Sequence, residues 1–568
     1  MSSEAALVWP AVGKRALAID LGSSSVRAIV FETGAKGVVS AVEGATARRP
    51  RHLRTTQPGQ ATFDVDEYLA DLVACLDELQ EKGFLDGVSD VAADSQWHSI
   101  VPVGKSGKAL GEMISWADTR PRHRLAPAEP TEPTEPTEPT EATEPTDPAQ
   151  PGRPSQRGGA AHRGAPKRAG SAAALAESFE PLRQRTGCAF ASQYWTWRAP
   201  WLLEQLGQRH VARFLGLPEY VGMQLLDDPS TSVSIASATG LLATAPLQWD
   251  GEALELANLK PAMLPPLAPP DWRGRLGPHW RRRWPSLSEA DWHPTLGDGA
   301  AANIGVGCDR PGRAAMTVGT SAAVRAFRAA PDSRHLPAGL WRYCADAGRV
   351  VVGAAYSSGG QLYSWALSLW EGTSTAPTGT AGGAASIAGS VSHEVSYDLP
   401  MPVGAGSEGV IVLPWHAGTR PPSPAVPGGQ GCVLGLGLGH TGANIVSAAV
   451  EAVCFQLAGG LADLERGGRG ALEVVANGGA IDRSDWWKRR LATVVGRPVR
   501  FPKAPETTAR GAAALALGVE LHDDPGDDEL VKPDDDDAAP LEHARERWQA
   551  WYEALLPIAG ASGQRRAQ

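Results

Sequence analysis

Near the start of the chain the spacing of apolar positions changes from strand-like to helical and back. Residues 15–45 read as strand, turn, strand and strand, with the apolar run ending at Asp20-Leu21-Gly22-Ser23-Ser24-Ser25 and resuming from Val26 to Phe31. Over 65–79 the apolar residues Leu69, Leu72, Val73, Leu76 and Leu79 fall at helical spacing, which predicts an amphipathic helix closed by Gly83. Residues 88–93 form a buried-strand pattern that delivers Asp94-Ser95-Gln96-Trp97-His98 at its end, where α/β folds gather ligand-binding residues. A hairpin is predicted from 100–103 and 110–116, turning at Gly104-Lys105-Ser106-Gly107 and finishing in Trp116-Ala117-Asp118-Thr119-Arg120.

Two helices are expected over 177–185 and 195–206. Thr231 to Ser237 is a small-residue stretch suited either to close packing or to polyol contacts. Leu296-Gly297-Asp298-Gly299 then sets an Asp in a glycine turn before a run of small residues. The pattern starts over at Ala314, where Thr317-Val318-Gly319-Thr320-Ser321 and Val324-Arg325-Ala326 echo the opening hairpin with one extra residue in the turn and without the Asp. Two similar hairpins opening two halves suggest a duplicated fold that grips one nucleotide from both sides. Strands at 350–354, 410–414 and 472–476 alternate with helices at 441–461, 484–495 and 506–517, and 541–556 is a closing helix. A further helix containing Trp365 follows Ser357-Ser358-Gly359-Gly360.

Composition interrupts this order. Thr-Glu-Pro repeats from Glu129 to Asp147, followed by a Gly/Arg/Pro-rich run, mark 121–170 as a disordered insertion without a packed core. Residues 372–390 read as a low-complexity loop, 522–538 as an acidic linker, and 1–14 as a loose lead-in. With 568 residues, 42% hydrophobic and 20% charged, the chain suits two substantial domains, expected over 15–308 and 309–556. A net charge of −10 without a basic stripe argues against a nucleic-acid partner. No apolar run reads as a membrane span, and six scattered cysteines without a Cys-x-x-Cys pair suggest reduced thiols in a cytoplasmic protein.

The chemistry readable from the residues is that of phosphate binding. Backbone N–H groups and Ser hydroxyls in the Gly22–Ser25 turn can converge on phosphate oxygens, and Asp20 beside them can hold a hydrated metal ion. The strand-Gly-Gly-helix passage at Asn477-Gly478-Gly479-Ala480 lets a base or ribose approach the backbone.

Taken in order, Asp20 to Ser25, Gln96-Trp97-His98, Trp116 to Arg120, Gly297-Asp298-Gly299, Gly319-Thr320-Ser321, Asn477 to Ala480 and Gly511-Ala512-Ala513 resemble the FGGY family of carbohydrate kinases. The resemblance spans 15–518 apart from the two low-complexity insertions. It implies an α/β, two-domain actin/hexokinase-like ATPase (ribonuclease H-like) fold with an interdomain cleft, using ATP and Mg²⁺. Asp298 matches the family's catalytic base and also touches the sugar, and Asp20 its Mg²⁺-orienting residue, acting through water. Ser23, Ser24, Ser25 and Arg27 match its first phosphate turn, Gly319 and Thr320 its second, and Gly360 and Gly479 its nucleotide contacts. Gln96 and His98 lie where the family contacts the sugar. For His98 a buried structural role is an open alternative, and Asp118 is expected either at the substrate or bonded to Arg120. Departures are Gly418-Thr419-Arg420 where the family commonly has Gly-Glu-Arg, and Ser in the opening turn where Thr is more usual.

The Trp-Ala-Asp-x-Arg motif with His-Ser following Gln96 is most similar to gluconokinases, which implies phosphorylation of the primary hydroxyl of gluconate. Another polyol kinase of the same family, for xylulose or glycerol, and a non-catalytic sugar sensor or actin-like ATP-binding protein are the alternatives. A homodimer is expected.

Overall fold

The computed structural model describes residues 12–125, 177–370, 403–424, 426, 428–466, 470–521 and 528–565. β1 (Arg15–Leu21), β2 (Ser25–Thr33) and β3 (Val39–Pro50) form the expected antiparallel meander. The helix α1 (Val65–Glu81) then crosses over to β4 (Val88–Ser95), which lies parallel to β1. Asp64 fixes the start of α1 by accepting from the N–H groups of Asp66 and Glu67. Two short strands, β5 (Asp291–Trp292) and β6 (Leu296–Gly297), both pair in parallel with β4, and α2 (Asp298–Gly305) leaves directly from β6.

The second sheet begins with β7 (Arg313–Val318), β8 (Ala322–Ala329), β9 (Trp341–Cys344) and β10 (Arg349–Tyr356), followed by α3 (Gly360–Trp370) and α4 (Gly442–Arg466). It continues through β11 (Glu473–Asn477), α5 (Asp485–Val495), β12 (Val499–Phe501), α6 (Thr507–Leu517), β13 (Glu529–Val531) and α7 (Asp535–Arg565). The strand orders are β5-β4-β1-β2-β3 and β9-β10-β8-β7-β11-β12-β13. Each half therefore opens with antiparallel strands joined by a tight turn and adds parallel strands on the other side of the first. The duplication is real at the level of topology.

Side-chain alternation sets the two faces of the first sheet. Leu17, Ile19, Leu21 and Val91 pack on the side of α1, whereas Ala16, Ala18 and Ala92 face the opposite side with Ala509, Ala512 and Ala513 of α6. Methyl groups on this face let helices approach closely. α2 and α6 cross backbone to backbone: a Cβ on Gly511 would lie 1.9 Å from the Ala301 carbonyl, and one on Gly305 1.7 Å from that of Thr507. Buried Arg510 ties the crossing down, donating to the carbonyls of Val39 at 3.0 Å and Gly305 at 2.9 Å.

Several expectations change. The 100–116 hairpin keeps only the bridges Ile100↔Ile114 and Val103↔Ala109, because Val101–Val103 pairs with Arg213–Leu215 and Met113–Ile114 with Thr62–Phe63. Those partners come from distant segments that the local pattern does not contain. The acidic run is not all linker: Glu529–Val531 is an edge strand beside β12, and Asp535, Asp536 and Asp537 open α7, where the helix dipole favours carboxylates. Residues 120–125 form a 3₁₀ turn, so order persists five residues into the expected insertion. The remainder of that insertion, the 372–390 loop, most of the lead-in and 522–527 lie outside the described residues. Among the described residues α4 is long and apolar enough to cross a membrane, contrary to the sequence reading, yet most of it is buried in the core of the second half.

The Val-Arg-Ala echo is also out of register. Arg27 lies opposite Asp20, but Arg325 lies opposite Ala315, and it is Ala323 that faces Thr317. Four residues separate the Leu21–Val26 pair and three the Val318–Ala322 pair, which shifts every later residue of β8 relative to β2.

Candidate active site

Asp298 is the first residue of α2, directly after β6, and its placement depends on the glycines around it. A Cβ on Gly297 would lie 1.7 Å from Trp97 Nε1, and one on Gly299 2.5 Å from Trp97 Cζ3. The indole thus needs both glycines absent of side chains, and it is fixed by donating to the Ser234 carbonyl at 3.2 Å. Asp298 does not cap its helix; its Oδ1 accepts from the Gly299 N–H at 2.7 Å. Burial raises its pKa to about 6, opposed by Arg325, by the Gly299 N–H and by Arg420, while Asp20 adds to the rise. A free Asp near 3.9 would be ionised without tuning, but this one is tuned into the range where a general base works best.

Asp20 and Asp94 are register partners at the ends of β1 and β4. Asp20 is buried and ion-paired with Arg27, which also pairs with Glu506 just before α6. Asp94 is fully buried, and among the described residues its carboxylate accepts no N–H or O–H donor and has the Asp20 carboxylate as its neighbour. Burial, then the charges of Asp20 and Asp298, push its pKa well above the usual carboxylate range. Asp20 is shifted upward as well, by burial that exceeds the opposing pull of Arg27. Two adjacent carboxylates short of positive charge fit a hydrated divalent cation, which needs only one or two protein oxygens and keeps its waters. Among the described residues no group of three or more His, Cys, Asp or Glu could hold an ion by itself.

Around the opening turn, Ser23 is half-buried, Ser24 exposed and Ser25 buried as the first residue of β2. The predicted glycines of the second half come together. Gly360 N–H donates to the Gly319 carbonyl at 2.7 Å and Ala480 N–H to that of Val318 at 3.2 Å. A Cβ on Gly360 would meet Ala480 Cβ at 2.7 Å, whereas one on Gly479 would meet nothing within 4 Å, so Gly479 borders open space. Polar contacts connect the halves: Thr317 Oγ1 donates to Asn477 Oδ1 at 3.2 Å, and Asn477 Nδ2 to Thr507 Oγ1 at 3.4 Å, next to Glu506 and hence to Arg27 and Asp20.

On the other flank, Gln96 is buried with both amide atoms unpartnered. His98 takes the left-handed backbone (φ 68°), and its Nδ1 lies 2.6 Å from the Ala238 carbonyl, which makes Nδ1–H the donor. Burial pushes its pKa down to about 3, so the ring is neutral, and Nε2 is an acceptor 3.4 Å from Gln193 Nε2. Asp118 is fully engaged: Arg120 donates to it from Nε and Nη2, and the N–H groups of Ala61 and Arg120 complete it. Arg420 reaches across from the second half and lies over Trp116, 4.2 Å from the ring centre.

Sequence reasoning did not single out Asp94, Gln193, Arg325 or Arg420 as site residues. Asp94, Arg325 and Arg420 stood inside recognised motifs, and position at a strand end was the available signal for the first. Gln193 depends on which segments pack together.

Two mixed sheets of one topology, each opening on a tight turn, with the glycines of the second half gathered together and the Asp298 carboxylate tuned upward, suit a phosphotransferase that acts on an alcohol. The chain belongs to the FGGY family of carbohydrate kinases: the family's N-terminal domain matches residues 15–126 and its C-terminal domain residues 314–518. It is 23% identical to a gluconokinase of Bacillus licheniformis, over 88% of this chain and 86% of that one. It is 26% identical to a glycerol kinase of Citrifermentans bemidjiense, over 88% and 89%. Its fold is that of solved sugar kinases. A gluconate kinase from Lactobacillus acidophilus superposes with a TM-score of 0.73 at 19% identity, covering 97% of this chain and 99% of the other. A xylulose kinase from Rhodospirillum rubrum gives 0.74 at 20%, covering 96% and 99%. The actin/hexokinase-like two-domain expectation is thereby met, and the non-catalytic sensor reading is set aside.

Proposed function

We propose that this kinase transfers the γ-phosphoryl group of ATP to the primary hydroxyl of gluconate, giving 6-phosphogluconate. The observation that carries the reading is Asp298, a carboxylate at the start of α2 whose Oδ1 accepts from the Gly299 N–H and whose pKa burial raises to about 6, next to the charges of Arg325, Arg420 and Asp20. Asp298 takes the proton from the hydroxyl as that oxygen attacks phosphorus in line. Asp20 would hold Mg²⁺ through its water shell, with Arg27 fixing the orientation of the carboxylate and Asp94 as its neighbour on β4. The metal, when bound, neutralises phosphate oxygens. Ser23, Ser24, Ser25, Gly319 and Thr320 donate to the phosphates, and Gly360 and Gly479 admit the adenosine. Gln96 and His98 Nε2 bond acceptor hydroxyls, and Asp118 acts at a distance by orienting Arg120. The protein works in the cytoplasm.

Gluconate is favoured by the motif around Trp116 and by gluconokinases among the relatives. Glycerol and xylulose kinases are comparably similar, so these polyols are the rival acceptors. A coupled ADP-release assay over sugar acids, pentuloses, glycerol and hexitols decides. Gluconate should give the highest kcat/KM; a higher value for xylulose or glycerol overturns the substrate assignment, and ADP release that ignores the acceptor overturns the mechanism. Asp298→Asn should keep ATP binding while kcat drops about 10²- to 10⁴-fold.

A further inference from the structure

Two guanidinium groups of the second half act on Asp298 through their charge, and neither forms an ion pair with any described residue: Arg325 and Arg420. Arg420 has the face of Trp116 as a partner. Arg325 has no such support, although the fold builds its position with care. It sits in the middle of β8, its backbone paired to Ala315 on one side and Gly353 on the other. Asn303 Nδ2 donates to its carbonyl at 3.3 Å. Two glycines clear its path: a Cβ on Gly353 would lie 3.0 Å from Arg325 Cγ, and one on Gly299 3.0 Å from Arg325 Nε.

A guanidinium offers five N–H donors. Here one makes a long contact, Nη1 to Thr317 Oγ1 at 3.4 Å, and Nε is buried without a partner. The charge of Asp298 is near it but makes no hydrogen bond to it, and holding a desolvated cation in that condition is costly unless a further anion meets it in the working complex. The protein's net charge of −10 sharpens the point, because an anionic acceptor approaches against the overall field and needs a local cation. The phosphates have their proposed donors in the two hairpin turns.

The geometry points to Arg325 as the residue that selects a sugar acid, by pairing with the acceptor's carboxylate while Asp298 serves the hydroxyl. The assignment rests on Asp298 being the base. It goes further by naming the acceptor's anionic group and the side chain that recognises it.

The test compares gluconate with glucitol, its neutral counterpart, in wild type, Arg325→Gln and Arg325→Lys, with KM for ATP measured in each. Wild type should prefer the acid. Arg325→Gln should lower the acid-to-neutral ratio of kcat/KM about 10- to 100-fold, the span of one charged hydrogen-bonded contact, mainly through KM for gluconate. Arg325→Lys keeps the charge without the planar fork and should recover part of the ratio. Equal losses on both acceptors, or a raised KM for ATP, would show that Arg325 serves the transferring phosphoryl group and overturn the inference alone. A wild type that prefers glucitol or another neutral polyol overturns the sugar-acid assignment along with it. If Arg325→Gln melts far below wild type, Arg325→Lys carries the comparison, and a full acid preference in it together with an unchanged KM for gluconate counts against a directional pairing.

Discussion

The tuned base makes a prediction about pH that an ordinary carboxylate would not make. Burial raises Asp298 to about 6 against the combined pull of Arg325, the Gly299 N–H and Arg420. A base must be deprotonated to accept the acceptor's proton, so activity is present above this pKa and lost as pH falls through it. The ionised fraction is about 0.9 at pH 7, about 0.5 at pH 6 and about 0.1 at pH 5, so kcat/KM should fall about tenfold between pH 7 and pH 5. An Asp at about 3.9 would remain about nine-tenths ionised at pH 5, and the profile would be flat there. Initial rates of ADP release between pH 4.5 and 8, at constant ionic strength, give the acid limb. Phosphate esters lose their second proton near about pH 6 as well, so the limb needs an owner. Arg420→Met supplies one: removing a cation that holds Asp298 down should move its limb to higher pH, whereas a limb belonging to the nucleotide would stay in place. A profile flat to pH 5, or a limb indifferent to Arg420→Met, would refute the assignment.

Gly511→Ala should destabilise the protein by about 1–3 kcal/mol, read as a lowered Tm, because the new Cβ meets the Ala301 carbonyl where α2 and α6 cross. Glu219 is fully buried, its pKa raised to about 7 by desolvation that outweighs the hydroxyl of Thr231. Below its unfolded value, about 4.3, both states are protonated; above it the unfolded chain ionises first, so stability declines up to about pH 7 and the deficit then stays constant. Glu219→Gln should therefore raise Tm clearly at pH 8 and hardly at pH 4, in thermal unfolding at the two values; a larger gain at pH 4 would contradict the burial argument.

Much of this was legible from residue order because the chemistry is local. Gly297-Asp298-Gly299 announced a carboxylate in a tight turn, and the alternation in β1, β2 and β4 announced the sheet that carries it. What stayed hidden depends on non-local register. The Val-Arg-Ala echo suggested that Arg325 repeats Arg27, yet the shorter turn leaves Arg325 two positions further along its strand, opposite Ala315, where its charge acts on Asp298. Asp94 was visible as a strand-end acid, but its closeness to the carboxylates of Asp20 and Asp298 emerges only when β1 and β6 close around β4. Alanines in α6 gave no hint of which sheet they cover, since a methyl group suits either. The acidic run misled for a related reason: Glu529 and Asp537 are held by Lys488 and Arg490 of α5, which composition cannot anticipate.

The destination of α6 also governs how the protein can be made. Ala509, Ala512 and Ala513 close the face formed by Ala16, Ala18 and Ala92, so the first sheet waits for nearly the whole chain before its inner side is covered. During synthesis the early strands emerge long before their lid, and that alanine face stays open while everything between is translated. The two halves repeat one topology, yet they cannot be cut apart at the repeat boundary and expressed as independent pieces. A fragment ending before Thr507 would lack the Arg510 ties to Val39 and Gly305 and the Glu506 partner of Arg27. One late helix stitches the two halves of repeated topology together.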